Sequence, residues 1–208
     1  AINLKINNRF KNKNIGLTKR RNMKIGVLGG SFNPAHEGHI HISNIALKEF
    51  KLDEIWWLVS PQNPLKTNFT KTNLKKRINY AKQISNGYKI RVEDLESKFK
   101  TNLTSKTLKI ILERYKGTKF IWLMGADNLK EINRWFNWKN IFNTMPIAVF
   151  DRGVYSYSII NSIAGKRYFS KLHKRKNSLS IFNKPLPSWK FIHNIKNPTS
   201  STYIRKLM

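Results

Sequence analysis

Two histidines three positions apart, His36 and His39, close the stretch Gly29 to His39, which reads GGSFNPAHEGH. A glycine pair precedes them, and HIHISNIALKEFK continues from His39 with apolar residues at helical spacing. Those residue types in that order suit an anion. Glycines let the backbone approach a phosphate, a helix start offers unpaired N–H groups and a partial positive charge, and imidazoles add donors that follow charge as it develops. Residues three apart share one helix face, so both rings can reach the same phosphate. The glycines run GVLGGS, which is neither the GxGxxG of dinucleotide-binding folds nor a GxxxxGK[ST] loop. A metal site is the weaker alternative, because the chain has no cysteine and no third ligand clusters with the pair.

A second candidate lies near the C-terminus. PTSSTYIR places Ser200, Ser201 and Thr202 where a helix begins and Arg205 on its first turn. The plain reading is an N-cap; the chemical one is a second anion site with a fixed guanidinium. Between the two lie weaker signals. Asp127 follows Gly125 at a strand end, where an acid packs poorly but meets a ligand well. Trp135 and Phe136 stand close to Trp138, a spacing that suits either core packing or ring stacking. Thr104 opens a helical run and serves either as its cap or as a ligand contact. Lys66 is one of 40 basic residues, and His41, His173 and His193 read as structural or exposed.

The elements that must position these groups alternate. KIGVLGG (24–30) is a buried strand ending in glycines. EIWWLVS (54–60), YKIRVEDL (88–95), KFIWLMG (119–125) and MPIAVFD (145–151) are further strands. Helical runs intervene at TNLKKRINYAKQIS (72–85) and LTSKTLKIILERYK (103–116). The pattern then weakens through SYSIINSIA, a candidate helix, to a short strand WKFIHNI and a last helix starting near Ser200. Alternation of this kind predicts an α/β fold, a Rossmann-like doubly wound parallel sheet, as a single domain over 23–208 with a small C-terminal helical part. Ligands then bind at the carboxyl ends of strands, so the functional loops should follow Gly29, Ser60, Leu95, Gly125 and Phe150.

Length and composition agree. At 208 residues and 24.5 kDa, with 40% hydrophobic and 12% aromatic residues, the chain can bury a real core. The absence of cysteine excludes disulfides, a thiol nucleophile and thiolate metal sites. The net charge is +29, unevenly spread: residues 1–36 hold 8 basic side chains and no acid, and residues 152–208 hold 12 and none. Polyanions and phosphorylated small molecules are natural partners of such a field. The densest run, KRYFSKLHKRK (166–176), interleaves aromatics but reads more simply as a solvated face, so nucleic acid is expected only non-specifically. Residues 1–22 read as a basic, disordered extension without a signal-peptide core, no apolar run is long enough to span a bilayer, and a cytoplasmic location is expected without a membrane partner.

GGSFNPAHEGH resembles the [ST]FDPxHxGH signature of the HxGH nucleotidyltransferase superfamily, with Asn33 at the position of the usual acid, and SSTYIR is similar to its ISSTxIR motif. Among its members the intervening segments most resemble the bacterial nicotinate-nucleotide adenylyltransferases. SPQNPLK (60–66), TNLTSKTL with Leu103 in place of the usual Tyr, MGADNLKEINRWFNW and DRG (151–153) carry that likeness, which spans about Met23 to Arg205. The resemblance implies adenylyl transfer from ATP, with Mg²⁺, to nicotinate mononucleotide. It implies catalysis by His36, His39 and Arg205. ATP contacts fall at Gly29, Gly30, Ser31, Phe32, Gly125, Asp127, Ser200, Ser201 and Thr202, and acceptor contacts at Asn33, Lys66, Thr104, Trp135, Phe136 and Arg152. A sibling adenylyltransferase for nicotinamide mononucleotide or phosphopantetheine, or a basic nucleic-acid-binding derivative of the fold, is the alternative. Homo-oligomerisation is left open.

Overall fold

The computed structural model describes residues 22–61, 73–151 and 160–193. Six strands form one parallel sheet in the order β3-β2-β1-β4-β5-β6. They are β1 (Lys24–Gly30), β2 (Glu54–Val59), β3 (Ile90–Glu93), β4 (Lys119–Gly125), β5 (Ile147–Phe150) and β6 (Trp189–Ile192). This is the doubly wound arrangement expected from the alternation. The chain winds outward from β1 in one direction through β3, then restarts at β4 on the other side of β1. The crevice between the carboxyl ends of β1 and β4 is therefore the topological switch point.

The helices are α1 (Glu37–Glu49), α2 (Leu74–Ile84), α3 (Leu95–Lys98), α4 (Thr104–Arg114), α5 (Ala126–Glu131), α6 (Trp138–Thr144) and α7 (Ile163–Arg167), with 3-10 turns at Ile132–Arg134, Phe169–Lys171 and Ser178–Asn183. Both faces of the sheet are covered because successive strand residues point to opposite sides. Ile25, Val27, Trp56, Phe120, Trp122 and Val149 enter one core with Leu108, Ile111 and Phe142 of the helices. Their neighbours Leu28, Trp57, Ile121, Leu123 and Phe150 enter the other, with Ile40, Ala46 and Ala81. The adjacent pair Trp56 and Trp57 thus serves both cores. The last strand is tied to α1 by polar links: Ser178 donates to the Glu49 carboxylate, and Lys190 lies 3.8 Å from it while donating to Arg175 O at 2.8 Å.

The expected strand ends at Gly30 and Gly125 hold, and β2 and β5 stop one residue before the expected ends, at Val59 and Phe150. The third strand is shorter than expected. It stops at Glu93, and Leu95 begins α3 instead of ending a strand. Of the candidate helix over 156–164, residues 163 and 164 fall in α7 and residues 156–159 lie outside the described residues, as does the helix expected from Ser200. Among the described residues no helix is long and apolar enough to cross a membrane.

Candidate active site

β1 ends in Gly29 and Gly30, and the first of these has a steric reason. A Cβ on Gly29 would sit 2.3 Å from Cη2 of Trp122 on the neighbouring β4, so only glycine lets the two strands lie together here. The chain then turns through Phe32, whose φ of +44 is left-handed, and through a cis Asn33-Pro34 bond. A bulky residue adopts that φ only when its surroundings hold it. The hold is visible. The Phe32 ring, 1% exposed, stacks on Trp57 at 5.0 Å between centroids and meets His39 at 4.7 Å. What Phe32 offers a surface ligand is therefore backbone, while its ring buttresses a histidine from beneath. Asn33 is likewise buried in this turn.

His36 and His39 then form a reciprocal capping box at the start of α1. Gly38 N donates to Nδ1 of His36 at 3.1 Å, and His36 N donates to Nδ1 of His39 at 3.2 Å. A ring nitrogen that accepts from a backbone N–H carries no proton, so the neutral form of each imidazole is protonated at Nε2. The two rings lie 3.9 Å apart at 44°. Both rings are thus held through Nδ1 by the backbone they cap, with His36 buried and His39 half-buried. Further support comes from Ser43, whose hydroxyl donates to His39 O at 2.8 Å and accepts from Trp57 Nε1 at 2.9 Å.

Gly125 and Asp127 stand beside this turn. Leu28 of β1 is paired with Leu123 of β4, so Gly30 and Gly125 each lie two residues further along adjacent strands. Gly125 caps α5, and Asp127 is exposed in that helix's first turn.

The third group of residues assembles around the start of α4. Leu103, not Thr104, is the N-cap residue, and no side chain caps the helix; Thr104 is its first helical residue. Lys106, one turn in, lies 5.8 Å over the Phe136 ring, which is 52% exposed. The Trp135–Phe136 segment therefore abuts the α4 start. Trp135 itself is half-buried against the first core, in line with the packing expectation, and Phe136 faces outward.

Two buried charged residues close to these loops were missed from sequence. One is Arg77 on α2, buried beneath the loops after β1 and β2, where desolvation lowers its pKa. Its signal was a cation inside the apolar stripe Leu74, Ile78, Ala81. The other is Glu96 on α3, also buried, whose Oε2 has no hydrogen-bond partner among the described residues. Burial pushes its carboxyl above the usual range, while hydrogen bonding from the Ser60 and Thr107 hydroxyls pulls it back. Lys66, Arg152, Ser200, Ser201, Thr202 and Arg205 lie outside the described residues.

Comparison with known proteins agrees with this geometry. The cytidylyltransferase-like family model matches residues 27–207. A probable nicotinate-nucleotide adenylyltransferase of Ruegeria sp. (strain TM1040) is 40% identical over 184 residues, 88% of this chain and 97% of its own. A second, from Mesorhizobium japonicum, is 36% identical over 187 residues, 90% of this chain and 96% of its own. Among solved structures, Plasmodium falciparum nicotinic acid mononucleotide adenylyltransferase complexed with NaAD superposes with a TM-score of 0.66 at 22% identity, over 88% of this chain and 83% of that one. At that identity the likeness speaks for the fold.

Proposed function

The chain belongs to the cytidylyltransferase-like family and to the nicotinate-nucleotide adenylyltransferases, and on that premise we propose how its residues divide the work of joining ATP to nicotinate mononucleotide. The 5′-phosphate of nicotinate mononucleotide attacks the α-phosphorus of ATP in line. A new P–O bond forms, the bond to the β-phosphate oxygen breaks, and nicotinate adenine dinucleotide and pyrophosphate leave. The acceptor phosphate is already ionised near neutral pH, so no protein base is required, and catalysis is positioning plus charge stabilisation.

The observation that carries this reading is the histidine capping box. Two imidazoles fixed through Nδ1 by their own backbone, with rings 3.9 Å apart, are positioned in advance for a transferring phosphate. His36 and His39 take that role, with Gly29, Gly30, Ser31 and the Phe32 backbone lining the phosphates and Gly125 and Asp127 on the nucleotide. Arg205, with Ser200, Ser201 and Thr202, receives the pyrophosphate leaving group. Asn33, Lys66, Thr104, Trp135, Phe136 and Arg152 hold the acceptor. Its nicotinate carboxylate suits the uncapped start of α4, and its ring suits the aromatic segment against that start. The donor set at the turn, imidazole and backbone N–H, is one for anions and not for a caged cation. Mg²⁺ therefore enters as part of the substrate, carried by the triphosphate oxygens of ATP and neutralising their charge.

The test is pyrophosphate release from ATP and Mg²⁺ with nicotinate mononucleotide, nicotinamide mononucleotide or phosphopantetheine as separate acceptors. Strong preference for nicotinate mononucleotide is expected. Preference for another acceptor, or no release from folded protein, would reject the assignment.

A further inference from the structure

Arg77 sits in the first turn of α2, 4% exposed, and its guanidinium reaches two separate loops. Nη1 donates to Ser31 O at 2.5 Å and to Ser60 O at 2.8 Å, and Nη2 donates to Pro61 O at 3.0 Å. Ser31 belongs to the turn between β1 and the histidines. Ser60 and Pro61 begin the segment that leaves β2. A backbone bond from Ser60 N to Gly30 O at 2.9 Å runs alongside. Burying a guanidinium is costly unless its donors are used, and here the planar fork spends them on carbonyls from both loops at once. A lysine, with one nitrogen on a flexible stem, cannot reproduce that geometry.

We propose that Arg77 is a positioning residue that fixes the turn carrying His36 and His39 against Ser60 and Pro61 just after β2, and so sets where the two histidines meet the reacting phosphates. The second half of this inference rests on the proposed function, in which the two histidines meet the transferring phosphate. It has a distinctive kinetic consequence. Loosening the turn from Ser60 and Pro61 moves the histidines off the transferring phosphate, which slows the reacting step more than it weakens the binding of either substrate alone. Misplacement by about 1 Å costs on the order of 10²-fold in rate.

The test uses the full chain carrying Arg77→Lys. We expect kcat to fall by about tenfold or more, while the dissociation constants of a non-hydrolysable ATP analogue and of nicotinate mononucleotide, each measured alone by calorimetry, stay within about threefold of wild type (a difference of about 0.7 kcal/mol at most). Amide hydrogen exchange at Ser31 and Phe32 should quicken about tenfold as the turn loosens. A kcat within twofold of wild type would overturn the proposal, as would affinities that fall in step with kcat, the signature of a merely structural loss. If the wild-type chain does not turn over nicotinate mononucleotide, the functional assignment fails, and exchange then decides the positioning role by itself: unchanged protection of the turn in Arg77→Lys overturns it. Arg77→Gln, which leaves no charge to bury, is the second variant should the lysine unfold the protein. The same split between rate and affinity is expected there, and its absence counts against the proposal equally.

Discussion

In the proposed reaction the starts of α1 and α4 each meet an anion, and they are built in opposite ways. At α1 the backbone donors Gly38 N and His36 N are occupied by the two histidine rings. At α4 no side chain among the described residues caps the helix, and Leu103 at the N-cap position offers no side-chain acceptor. An apolar N-cap is among the least favourable residues there. The difference teaches how one fold treats two anions. A phosphate whose charge changes during reaction is met by side chains locked in place. In the proposal, a carboxylate that only needs to be recognised is met by the backbone of the helix start, with no side-chain cap in the way.

That contrast can be broken most severely at His39. Replacing it by alanine removes a donor to the transferring phosphate and should lower kcat by about 10²-fold or more, the scale for loss of one preorganised donor. Because Nδ1 of His39 also accepts from His36 N, the same variant should lose about 1 kcal/mol of stability. Steady-state kinetics and a urea melt separate the two effects, and unaltered turnover would leave the α1 side without its stated function. Gly29→Ala attacks the rigidity of the same side. With a Cβ forced toward Trp122, a loss of about 1–3 kcal/mol is expected in a urea melt; wild-type stability would mean that β1 and β4 separate more easily than their packing indicates.

Leu103→Asp tests the α4 side directly. A carboxylate at the N-cap should stabilise the helix by about 0.5–2 kcal/mol while competing with the acceptor for the same N–H groups, so the KM for nicotinate mononucleotide should rise about tenfold with the KM for ATP little changed. Equal changes in both would remove the assignment of the α4 start to the acceptor. The smallest effect is expected at Glu96, close to Thr107 of the same helix. Its folded pKa is raised, so the folded chain binds its proton more tightly than the unfolded chain does. Stability from this group therefore falls as pH rises from about 4 through the folded value. Glu96→Gln should flatten that slope in melts across the range and raise the melting temperature modestly at neutral pH, whereas an identical pH profile would show that the burial of Glu96 has no cost.

Much of this was legible in the amino-acid order. KIGVLGG and KFIWLMG are strands to the residue, because an uninterrupted apolar run between polar or glycine boundaries has few other uses. The histidines were legible as a pair on one helix face, but not as the cap itself, since N-caps are usually hydroxyl, amide or carboxylate residues. Between the strands expected at 119–125 and 145–151 the sequence suggested no element beyond the aromatic stretch Trp135, Phe136 and Trp138, whereas the chain builds two short helices and a 3-10 turn there. Aromatic spacing describes what packs without saying where the backbone turns, and Asn137, at φ +49, supplies one of those turns. Arg77 was the least legible. Its charge argues for solvent, and only acceptors 16, 17 and 46 positions away in sequence make its burial tolerable.

The direction of β6 has one further consequence. Because it runs parallel to β1, the carboxyl ends of the two strands open on the same edge of the sheet, three strand spacings, about 14 Å, apart.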